Sequence, residues 1–142
     1  MKNKIFVAGA TGFQGANIAG KLLAKGYEVT TLKRSMENGT PLMAGVNAIE
    51  GGLENIEALN KALKGVNSAV YTFPLIFDIN LAKEYTSNFI LAAEEQGVSL
   101  IVFNAGFDLP KKTSRLLAIN LKVEIKLMFD SSNLNVITLV PD

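Results

Sequence analysis

Apolar runs of strand length alternate with stretches of helical period from one end of this chain to the other. That alternation predicts βαβ units and a parallel sheet. Ile5 to Ala8 is a continuous apolar run, the pattern of a strand buried on both faces. From Phe13 to Lys25 the period turns helical. Ile18, Ala19, Leu22 and Leu23 share a face there, and Gly26 stands where a left-handed C-terminal cap is wanted. Val29 to Lys33 predicts a second strand. Ser35 to Gly45 is broken by Gly39 and Pro41, so a loop with at most one helical turn is expected. Val46 to Glu50 predicts a third, weaker strand. Ile56, Leu59 and Leu63 mark a short helix closed by Gly65, and Ser68 to Phe73 a strong fourth strand. A helix near Ile79 to Gln96 stops at Gly97, and Leu100 to Phe103 is a fifth strand. Ser114 to Asp130 is helical again, with Leu116, Ile119, Val123 and Leu127 expected to face inward. Asn135 to Val140 predicts the sixth strand.

Six strands joined by right-handed crossovers specify an α/β doubly wound parallel sheet, the Rossmann arrangement, with strand order 3-2-1-4-5-6. Such sheets bind ligands beyond the carboxyl ends of the strands, where strand order reverses. Here that point falls between strands 1 and 4.

Composition narrows the picture without redirecting it. The 142 residues suit one domain, and 49% apolar content supports a real core. No repeat, low-complexity tract or linker divides residues 1–142. A net charge of +1, with both signs mixed along the chain, leaves no footprint for nucleic acid or an anionic membrane. The opening apolar run, Ile5 to Ala10, is too short for a signal peptide, and no stretch approaches the ~18 residues of a membrane span. With no cysteine there is no disulfide or thiol chemistry, which fits a reducing cytoplasm. With no histidine, the Ser-His-Asp triad, the usual general base and the commonest metal ligand are all excluded; no metal site is expected.

The strongest chemical signal is Gly9-Ala10-Thr11-Gly12-Phe13-Gln14-Gly15, a GxxGxxG that follows a strand and opens a helix. Gly9 permits the tight turn, Gly12 lets backbone approach a pyrophosphate, and Gly15 allows close helix–strand packing. Free N–H groups of the first helical turn and the helix dipole then favour a diphosphate. A second signal ends strand 2. An acidic residue about 20 positions on from the glycines accepts the ribose 2′-hydroxyl in NAD-selective sites. Here that slot holds Arg34, between Lys33 and Ser35. A guanidinium matches a 2′-phosphate with bidentate hydrogen bonds, so NADP(H) is expected ahead of NAD(H). The alternative is that the basic pair only caps a strand at the solvent edge.

GATGFQG, the basic LKR that ends strand 2, and the run GVNSAVYTFP resemble the short-chain dehydrogenase/reductase superfamily. The closest likeness is its atypical, NmrA-like branch, related to isoflavone reductases and sugar-nucleotide epimerases, and it covers essentially the whole chain. The resemblance implies an oxidoreductase acting on a small carbonyl or quinone. Several departures qualify that. Family members carry an Asp after the third strand that contacts adenine; this chain has Gly52-Leu53, leaving backbone and apolar contact. The catalytic serine after strand 5 is missing, since that strand leads into Asn104-Ala105-Gly106. The YxxxK pair is missing too: Lys122 stands in the lysine's place, but Ala118 fills the tyrosine slot. The pair works because residues four apart share a helical face, where lysine lowers the tyrosine's pKa. Tyr27, Tyr71 and Tyr85 are followed four residues later by Thr31, Leu75 and Phe89.

Lys122 alone could hold the nicotinamide ribose and carries a catalytic role in the isoflavone-reductase-like branch; the alternative is a solvated helix lysine. Thr72, Phe73 and Pro74 end strand 4 at the switch point and are expected on the nicotinamide side, against ordinary packing. Lys111, Lys112 and Arg115 read as a solvated loop cluster. The resemblance also places a substrate-binding portion after the sixth strand, and the sequence stops at Leu139-Val140-Pro141-Asp142. Two other functions stay open: a non-catalytic NADP redox sensor acting on a protein partner, which the missing Ser and Tyr favour, and a sugar-nucleotide epimerase, which the missing Tyr disfavours.

Overall fold

Every strand expected from the apolar runs forms, and each lies parallel to its neighbours. The computed structural model describes residues 3–10, 13–34, 43–72, 78–104 and 117–139. In chain order the elements are β1 (Lys4–Val7), α1 (Phe13–Ala24), β2 (Glu28–Lys33), β3 (Val46–Glu50), α2 (Ile56–Leu63), β4 (Ser68–Tyr71), α3 (Ile79–Glu95), β5 (Leu100–Asn104), α4 (Leu117–Asp130) and β6 (Val136–Leu139). The sheet order is β3-β2-β1-β4-β5-β6, so the crossover that reverses direction lies between β1 and β4. The register there sets Ile5 beside Ser68 and Val7 beside Val70, and the Ala8 N–H adds a bond to the Val70 carbonyl at 2.9 Å.

Local chemistry explains where the helices begin. Asn55 caps α2 by accepting from the Ala58 N–H at 3.0 Å, and Asp78 caps α3 by accepting from the Leu81 N–H at 3.1 Å. Each satisfies a donor that the first helical turn leaves without an intrahelical partner.

The two sheet faces differ. On one, α2, α3 and α4 enclose the larger core, whose centre is aromatic. Tyr71 stacks against Phe89 with ring centroids 4.6 Å apart and meets Phe129 edge-on at 5.2 Å; Phe103 lies 5.7 Å from Phe129. The Tyr71 hydroxyl is fully buried and shares a 3.0 Å hydrogen bond with Thr86 Oγ1. Burial drives its pKa upward, as expected of a tyrosine held in the core. On the other face α1 packs Ala19, Ile18, Leu22 and Leu23 against Val7, Val29, Ile5 and Val46, the face its sequence predicted.

One expected face is wrong. In α4 the buried residues are Leu121, Ile125 and Phe129, whereas Ile119 and Val123 are only partly covered and Leu127 is 54% exposed. Leu116 lies outside the described residues. Both stripes have i, i+4 spacing, so periodicity could not choose; the aromatic cluster does, because Phe129 packs among Tyr71, Phe89 and Phe103. Similarly, Ile56 is exposed on α2, where Ala58, Leu59, Ala62 and Leu63 face inward. The Ser35 to Gly45 connection falls largely outside the described residues.

Candidate functional site

The carboxyl ends of β1 and β4 lie side by side at the reversal of strand order, and Gly9 stands just beyond them. Gly9, immediately beyond β1, has φ of +73°, a conformation that L side chains rarely adopt. It lies next to the end of β4: a Cβ on Gly9 would sit 3.9 Å from the Thr72 carbonyl oxygen. Gly15 is needed for a different reason. A Cβ there would fall on the Gly9 carbonyl oxygen, 2.5 Å from its carbon and 3.0 Å from Ala10 Cα. Backbone thus packs directly on backbone, and the first turn of α1 is seated over the end of β1. Phe13 opens α1.

Two further expected residues lie at the same end of the sheet. Asn104, the last residue of β5 and 9% exposed, donates from Nδ2 to Gln14 Oε1 at 3.3 Å, tying β5 to the first turn of α1. Thr72 follows β4, and its Oγ1 is buried with no hydrogen-bond partner among the described residues. Leaving a buried hydroxyl unpaired costs about 1–3 kcal/mol.

A second cluster forms beyond β2 and β3. Lys33 ends β2 in register with Glu50 of β3. Arg34, the next residue, directs Nη1 to Glu54 Oε1 at 2.8 Å, with 62% and 46% of the two side chains exposed. The Arg34 guanidinium also hydrogen-bonds the Tyr85 side chain on α3; that bond, ahead of Glu54, raises its pKa above the ordinary arginine value. Gly52 is buried beneath the pair. A Cβ on it would meet the Glu54 carboxylate, 2.7 Å from Oε1, and Arg34 Nη1 at 2.9 Å. Leu53 is buried beside it, with its carbonyl accepting from Asn88 Nδ2 at 3.0 Å. The slot where the resemblance places an adenine-contacting Asp is therefore covered by an arginine–glutamate pair.

Lys122 lies on α4, half-buried, and partial desolvation lowers its pKa. Thr11, Gly12, Ser35, Phe73 and Pro74, with Lys111, Lys112 and Arg115, fall outside the described residues. The sequence pattern singled out neither Glu54 nor Tyr85. Glu54 had a weak signal, a carboxylate two residues beyond the Gly52 slot. Tyr85 had none, because its contact with Arg34 joins separate elements.

The NmrA-like family model matches residues 1–140. A 3-beta-hydroxysteroid dehydrogenase of Mycolicibacterium neoaurum is 26% identical over a 118-residue alignment that covers 72% of this chain and 31% of that protein. The triphenylmethane reductase of Citrobacter sp., solved in complex with NADP(H), superimposes with a TM-score of 0.80 at 24% identity, covering 96% of this chain and 48% of the reductase. WbmG of Bordetella bronchiseptica, solved in complex with NAD, gives 0.76 at 18% identity, covering 99% and 53%. The chain spans about half the length of these solved structures. Among the described residues no helix is long and apolar enough to cross a membrane.

Proposed function

The chain belongs to the NmrA-like family, and from that premise we propose that it binds a nicotinamide dinucleotide across the carboxyl ends of β1, β2 and β4, NADP(H) ahead of NAD(H), as part of an oxidoreductase acting on a small carbonyl or quinone. The observation that carries this reading is the seating of Gly15 on Gly9, which brings the N-terminus of a 12-residue helix to the switch point. Helix N-terminal N–H groups and the helix dipole there favour a diphosphate. The Thr72 hydroxyl, buried without a hydrogen-bond partner among the described residues, supports the same reading, since it offers a donor or acceptor to a ligand group at the end of β4.

In this reading Gly9, Thr11, Gly12, Phe13, Gln14 and Gly15 hold the pyrophosphate. Arg34, with Lys33 and Ser35, holds the 2′-phosphate, and Gly52 and Leu53 lie on the adenine side. Thr72, Phe73, Pro74 and Asn104 line the nicotinamide side, with Lys122 on the adjoining ribose. The dinucleotide, when bound, supplies hydride chemistry, and the fold's part is to position the ring. Placing a side chain at Gly12 fills the pyrophosphate's place. Calorimetry with NADPH should therefore find no binding by a folded Gly12→Val variant, and unchanged affinity would remove the proposal.

Lys122→Ala should weaken NADPH by about tenfold, the loss of one charged hydrogen bond, while leaving 2′,5′-ADP within twofold. Equal losses for both ligands would return Lys122 to an ordinary helix lysine. A second reading, a redox sensor without turnover, draws support from the tyrosines: Tyr71 is fully buried and Tyr85 is engaged by Arg34. Oxidation of NADPH with a panel of quinones separates the two, because turnover belongs to an enzyme and tight binding without it to a sensor.

A further inference from the structure

The Arg34–Glu54 pair puts both signs of charge at one exposed point beyond β2 and β3. A residue in this place distinguishes the two dinucleotides by simple chemistry: a guanidinium attracts a 2′-phosphate, and a carboxylate accepts the 2′-hydroxyl and repels the phosphate. Arg34 is delivered by strand β2. Glu54 is delivered by the β3–α2 connection, so its place depends on the fold, and it lies over the buried backbone of Gly52. The connection is well anchored. The Asn55 N–H donates to the Gly52 carbonyl at 3.0 Å, Asn55 caps α2, and the Leu53 carbonyl is held by Asn88. Tyr85 fixes the guanidinium from α3.

We infer that Glu54 sets the cofactor preference, its carboxylate accepting the ribose 2′-hydroxyl of NAD(H) and competing with the 2′-phosphate of NADP(H) for Arg34. This rests on the dinucleotide reading given above and adds to it a residue that the acidic-residue rule does not reach. In the closed pair Arg34 has donors left over, since a guanidinium carries five N–H groups, and a bound 2′-phosphate draws on those while Glu54 opposes it. The chain accordingly accepts both dinucleotides, with a preference narrower than Arg34 alone would give.

The test compares wild-type protein with Glu54→Gln, measuring the dissociation constants of NADH and NADPH by calorimetry at low salt. Glutamine keeps the shape and one acceptor oxygen but removes the charge. Glu54→Gln should tighten NADPH and weaken NADH, each by about two- to fivefold, the range for a charged contact at a half-exposed site. The ratio of the two constants should then move by about four- to twenty-fivefold. Glu54 is half exposed, and circular dichroism checks that the variant folds. If wild-type protein binds both dinucleotides and the ratio is unmoved in Glu54→Gln, the role of Glu54 is overturned and the dinucleotide site stands. If wild-type protein binds neither, the dinucleotide reading fails and this inference fails with it.

Discussion

Replacing Gly15 with alanine should lower the melting temperature by about 10 °C and remove dinucleotide binding. The added methyl would overlap the Gly9 carbonyl and press on Ala10 Cα. These are backbone atoms, with no flexible side chain to swing aside, so α1 has to lift from β1. Overpacking costs about 1–3 kcal/mol and more where nothing yields; about 3 kcal/mol corresponds to roughly 10 °C in a domain of this size. Gly15 is not among the glycines with positive φ, so the effect would be one of space alone. Gly26→Ala is the matched control. A Cβ there meets nothing within 4 Å, but φ is +90°. It should cost only about 1 kcal/mol of backbone strain and leave affinity for NADPH unchanged. Thermal melts and calorimetry on both variants decide the matter: a Gly15→Ala protein that melts and binds like wild type would show that α1 can be rebuilt without this contact.

The second large effect is expected at Arg34. A hydrogen bond to a charged group is worth roughly 1.5–3 kcal/mol, and 1.4 kcal/mol is about tenfold in affinity. Arg34→Ala should therefore weaken NADPH by about ten- to a hundredfold and change NADH little. Because most of the side chain is exposed, the lower bound is the better expectation, and added salt should narrow the wild-type preference. Lys33 lies next to it in the chain and would retain part of the attraction. Stability should fall modestly, as Tyr85 loses a hydrogen-bond partner in a nearly buried position. Wild-type protein that binds NADH as tightly as NADPH at low salt, with no change in Arg34→Ala, would separate Arg34 from cofactor choice altogether.

Much of the fold was legible because the signals that specify it are local. Period and run length located six strands and four helices, and right-handed crossovers then left one strand order. The glycine turn was equally legible: Gly9 and Gly15 are demanded by backbone geometry that few other residues satisfy. Arg34 is proposed from its fixed distance to those glycines. What escaped notice lay between elements. The contact from Asn104 to Gln14 spans 90 residues of sequence, and the pair of Arg34 with Glu54 spans 20. Spacing along one strand or helix carries no information about such pairs.

The sequence by itself determined the order of elements, the turn that opens α1 and the basic end of β2, since each depends on backbone preferences or periodicity within a few residues. The tertiary structure alone decided which side of α4 is buried. The stripe Ile119, Val123, Leu127 and the stripe Leu121, Ile125, Phe129 are both apolar with the same spacing, and only the fit of Phe129 among Tyr71, Phe89 and Phe103 selects the second. It also decided the partners of Arg34. A guanidinium at a strand end is drawn to a carboxylate that the neighbouring loop presents, and the fold brings Glu54 of the β3–α2 connection to it.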